Sequence, residues 1–96
     1  MYAVVRTYSG QGAPELFELL AQREEDVRGI MTGVEGFRSY AAVRTGDGGL
    51  AVTVCDDKAG ADESSRRAAE WVKANLGGPV DPPRMTEGDA VLHFSA

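Results

Sequence analysis

The chain has 96 residues, of which 43% are apolar and 26% charged, with fifteen acids against ten bases and a net charge of −5. That length suits one domain spanning 1–96, the composition excludes a disordered chain, and the acidic balance argues against a nucleic-acid partner. No apolar run approaches the roughly 20 residues needed to cross a bilayer, so no membrane partner is expected. MYAVVRTYSG lacks the pattern of a secretion signal and Cys55 is a lone thiol, so the expected compartment is the cytoplasm.

Residues 2–8 (YAVVRTY) are β-branched and aromatic and predict a half-buried strand. SGQGA breaks it, Pro14 suits a first helical turn, and Glu15 and Glu18 favour the positive end of a helix dipole. Leu16, Phe17, Leu20, Val27, Ile30 and Met31 then recur at helical spacing, which predicts one amphipathic helix of about four turns ending near Gly33. Residues 36–45 and 49–55 predict a second and a third strand, joined by a type I′ turn at Asp47-Gly48. That turn would set Thr45 opposite Leu50, Val43 opposite Val52 and Ala41 opposite Val54. A second helix is predicted over about 62–76, ended by Gly77-Gly78-Pro79. PVDPPRMTEG reads as an extended connection, and 89–95 (DAVLHFS) as the last strand.

The order β-α-β-β-α-β is the ferredoxin-like α+β arrangement. It places two helices on one face of a four-stranded antiparallel sheet, with the first and third strands central. Leu50, Val52, Val54, Val43, Ala41, Ala3 and Val5 are expected beneath the helices, with Leu92 and Phe94 packed inward. The opposite face would carry Val4, Arg6, Tyr8, Arg38, Tyr40, Ala42, Arg44, Ala51, Thr53, Cys55 and His93. A surface mixing Tyr and Arg is typical of an interface core, so this face predicts a homodimer of stacked sheets, with a ligand cavity beside them.

The chain resembles the dimeric α+β-barrel superfamily, and most closely its antibiotic-biosynthesis-monooxygenase-like members. MYAVVRTYSG, VEGFRSYAAVRTGDGGLAVTVCDD, SSRRAAEWVKANL and TEGDAVLHF carry the likeness, which is one of pattern over nearly the whole chain. It implies a sheet-to-sheet dimer closing an eight-stranded barrel. That family contains cofactor-free quinol oxygenases, haem-degrading enzymes and members without known activity. The haem-degrading type uses an Asn, a Trp and a His; Trp71, Asn75 and His93 are present here, without positional correspondence.

Among candidate groups, His93 is the only histidine, the one side-chain type whose ordinary pKa lies near neutrality. It would serve as a general base towards a phenol or as a haem ligand, against the plainer role of a hydrogen-bonded strand residue. A lone histidine and no Cys/His cluster predict no metal site. Arg6, Arg38 and Arg44 suit a carboxylate or oxyanion, or else intersubunit ion pairs. Tyr8 and Tyr40 suit stacking on a planar ligand, or else interface packing. Trp71 reads as packing and Cys55 as a buried inert thiol. The leading expectation is a small homodimer that binds or oxidises a small aromatic or quinol-type compound without metal, flavin or other cofactor. The alternatives are a non-catalytic ligand-binding or stress-associated dimer and, ranked lower, a haem-binding or haem-degrading protein.

Overall fold

The computed structural model describes residues 1–96. Strand β1 (Tyr2–Ser9) is followed by helices α1 (Ala13–Gln22) and α2 (Glu24–Thr32), strands β2 (Phe37–Thr45) and β3 (Gly48–Cys55), helix α3 (Lys58–Asn75) and strand β4 (Arg84–Asp89). The sheet is antiparallel throughout with strand order β2-β3-β1-β4, so β1 and β3 are central as the sequence predicts. All the helices pack on one face, which gives the ferredoxin-like fold.

Four expectations are corrected. The single first helix is two, broken at Arg23 (φ −119°, ψ 38°). The Arg23 guanidinium is held there by Asp26 and by the ring of Trp71, 5.9 Å from its centre, so the bend is fixed by side chains rather than by Gly or Pro. The hairpin turns at Gly46-Asp47 instead of Asp47-Gly48. Thr45 therefore pairs with Gly48, Val43 with Leu50 and Ala41 with Val52. This slip of two residues preserves every side chain's face. Neither turn residue has positive φ, so no type I′ turn forms; the unusual backbone falls on Gly48, at φ 157°.

The third correction concerns the sense of the sheet. The two groups of residues are separated as expected, but their roles are exchanged. Val4, Arg6, Tyr8, Ala51, Thr53 and Cys55 lie beneath the helices and are all buried. Tyr8 packs with Ala13, Leu16 and Phe17 of the first helix and Val72 of α3. Each such large apolar side chain stabilises by about 1.5–3 kcal/mol. Ala3, Val5, Ala41, Val43, Leu50, Val52 and Val54 form the open face, where Val43 is 48% exposed.

Fourth, the last strand is 84–89 and not 89–95. The remainder, 90–96, is an irregular arm that leaves the β4 edge with Ala90 N–H donating to Met1 O and reaches β2 on the opposite edge. There His93 Nε2 lies 3.0 Å from Ser39 Oγ. Leu92 and Phe94, expected to pack inward, are 80% and 84% exposed, and Val91 is 90% exposed.

Candidate functional site

The bend at Arg23 swings α2 away from α1 above the edge strand β2, and a cleft of about 580 Å³ opens between them. Phe17, Leu20 and Ala21 of α1, Val27 and Met31 of α2, and Phe37, Tyr40 and Ala42 of β2 form apolar and aromatic walls. Arg44 supplies a cation and donates to Phe17 O at 3.4 Å. Glu24 and Arg28 line the α2 side, joined to each other at 2.6 Å. Burial raises the Tyr40 phenol above its ordinary pKa, partly opposed by the nearby Arg6 charge, so the ring stays neutral at physiological pH.

Inward of this cleft the sheet carries a buried cation. Arg6, 2% exposed, donates from one terminal nitrogen to Ser65 Oγ at 3.0 Å and Ser64 Oγ at 3.4 Å, and from the other to Thr53 Oγ1 at 2.6 Å. Strand β1 places it opposite Ala51 and next to β3, beneath the first turns of α3. Desolvation lowers its pKa. Beside it Tyr8 meets Phe17 edge-to-face, with centroids 6.0 Å apart, and burial raises the Tyr8 pKa. The hydroxyls of Ser64 and Ser65 are the part of this cluster that sequence reasoning missed. Alternation had placed Thr53 on the face of Arg6, without a role.

The six candidate residues therefore divide. Arg6, Tyr8, Tyr40 and Arg44 share the helix-covered side, whereas Arg38 and His93 do not join them. Arg38 is exposed at the register shift of β2 and pairs with Asp56. His93 sits in the arm on the open face. Trp71 and Asn75 adjoin, Asn75 Nδ2 donating to Trp71 O at 2.8 Å, but Arg23, not His93, completes their cluster. Cys55 is buried, and burial together with Asp56 and Asp57 raises its thiol pKa. No three His, Cys, Asp or Glu side chains group as metal ligands would.

Comparison with solved structures places this architecture. A dimeric ferredoxin-like protein from an uncultured marine organism superposes at TM-score 0.64 and 16% identity, over 99% of this chain and 96% of that one. The two share the ferredoxin-like fold. The haem degrader MhuD of Mycobacterium tuberculosis, solved with two haems in its active site, matches at TM-score 0.63 and 20% identity, over 98% of both chains. A monooxygenase from the gene ActVA-Orf6 of Streptomyces coelicolor, in complex with nanaomycin D, matches at 0.57 and 22%, over 99% and 90%. No family model and no curated protein sequence matches the chain.

Proposed function

We propose that this protein is a homodimer that binds a small, planar aromatic compound in the cleft between β2 and the bent α1–α2 pair. The cleft itself carries the reading. Its 580 Å³ falls within the range of about 300–1,000 Å³ common for small-molecule sites. Phe17, Phe37 and Tyr40 offer ring faces, and Arg44 offers one polar anchor. The dimer rests on the open face, where Ala41 and Val43 are exposed and Val5, Leu50 and Val52 half-buried, and on the arm, whose Val91, Leu92 and Phe94 are exposed. A second copy stacked at about 10 Å would bury both. The dimeric ferredoxin-like neighbour, and the neighbours whose structures contain haem or nanaomycin D, support the two halves of the reading.

Binding is favoured over oxidation or haem ligation because the groups in the cleft are poor bases. Tyr40 is held neutral, Glu24 is paired with Arg28, and His93 lies across the sheet. Titration with 1,4-naphthoquinone, followed by calorimetry and thermal melting, tests the site. Saturable binding that raises the Tm, and is lost when Met31→Arg fills the cleft, is the expected result. Absence of binding, or binding unchanged by Met31→Arg, overturns it. Oxygen uptake with 1,4-naphthoquinol tests catalysis separately, and none is expected above the buffer rate.

A further inference from the structure

A second cleft, of about 590 Å³, opens on the far side of α3, between that helix, β4 and the segment 78–83. It shares no lining residue with the β2 cleft. Its walls are mainly apolar, with Tyr8, Val72, Leu76, Val80 and Met85 among them, and its charges are Arg6, Lys73 and Asp81. Asp81 is already engaged, accepting the Gln11 N–H at 3.1 Å.

Arg6 makes this cleft unusual. The chain has fifteen acids and forms nine ion pairs, and Arg6 takes part in none of them. Its partners are three neutral hydroxyls. A buried charge that lacks a counter-charge is costly, and hydroxyl dipoles offset only part of that cost. Lys73 is likewise unpaired, about two turns along α3 from Ser65. Two cations and a hydroxyl lining one largely apolar cleft form the complement of an amphipathic anion.

We propose that Arg6 and Lys73 form an anion site that takes a small apolar carboxylic acid in the α3–β4 cleft. The carboxylate supplies the missing counter-charge, and the ring or chain of the ligand lies on Val72, Leu76 and Met85. A guanidinium accommodates a carboxylate through paired N–H donors, and such charge-assisted bonds are roughly twice as strong as neutral ones. The simpler role, in which Arg6 only cross-links the sheet to α3, predicts no preference for anions.

Calorimetry with 2-naphthoate and its neutral counterpart 2-naphthamide separates the two. The acid is expected to bind at least about tenfold tighter than the amide, equivalent to about 1.4 kcal/mol, and to weaken with added salt. Lys73→Glu changes an exposed residue, so the fold is retained, and should weaken naphthoate about tenfold or more while leaving naphthamide unchanged. Arg6→Lys should also weaken naphthoate, and Arg38→Ala, which removes an exposed cation outside both clefts, should not. Equal affinity for acid and amide overturns the proposal, as does no binding of naphthoate at millimolar concentration. Naphthoate affinity indifferent to Lys73→Glu, or weakened equally by Arg38→Ala, overturns it as well.

Discussion

The two faces of the sheet differ in a way that inverts ordinary intuition. The face beneath the helices contains two arginines, two tyrosines, a threonine and a cysteine. On the face without helices the middle of β1, β2 and β3 is Ala, Val and Leu, with Thr7, Thr86 and Arg84 towards the β4 edge. A charge is tolerated inside because its stem is apolar and because α3 brings Ser64 and Ser65 to its head. Aliphatic residues are tolerated outside where another surface covers them. Under the proposed pairing, burial inside a protomer and burial between protomers make different demands on a strand, and a polar residue can mark the inner face.

The largest expected effect falls on the open face. Val52→Asp should leave the protomer folded but abolish pairing, since an unpaired carboxylate between stacked sheets costs several kcal/mol, a hundredfold or more in association. Light scattering over a concentration series checks this. A wild-type chain that is monomeric at all concentrations removes the distinction between the two kinds of burial. Next in size is Arg6→Ala on the inner face. It leaves the Thr53 hydroxyl without its donor and opens a void, with an expected loss of about 2–4 kcal/mol in urea unfolding.

Gly49→Ala sharpens the comparison by testing how tightly the helices sit on the sheet. A Cβ there would come within 2.6 Å of the Phe17 ring and 2.5 Å of Val43 O. A loss of about 1–3 kcal/mol is expected, whereas Ala41→Gly on the open face should cost less than about 1.

The smallest effect concerns the outer surface of α3, whose cations are paired where Arg6 is not. Hydrogen bonds from Arg66 and Arg67 hold the Glu63 carboxyl down at about 2, against an ordinary value of 4.5. A depressed carboxylate stabilises fully above the ordinary value and loses that contribution as pH falls from about 4.5 towards 2. Glu63→Gln should slightly flatten the acid limb of Tm against pH and leave Tm near neutrality almost unchanged, because exposed pairs contribute little.

The element order, the central strands and the division of strand residues into two sets were legible in the sequence, because alternation and turn chemistry are local. Which set faced the helices was not. Val5, Val43, Leu50 and Val52 looked like a core by composition, and the partners that make Arg6 an inner residue come from a helix 58 and 59 positions away. The last strand was misplaced for a related reason. An edge strand such as RMTEGD can be polar, while the apolar run VLHF that follows is the exposed arm. The bend at Arg23 had no Gly or Pro to announce it, so the cleft it opens was invisible, although Tyr40 and Arg44 in its wall were already candidates.

Met1 O accepts from Ala90 N at 2.9 Å where the chain leaves β4, and the arm then carries the following residues across to Ser39 of β2. That course makes the choice of purification handle consequential. A tag fused after Ala96 would extend the arm at the margin of the open face and would act as a wedge there. Assembly measurements on this protein therefore call for a cleaved, tag-free chain.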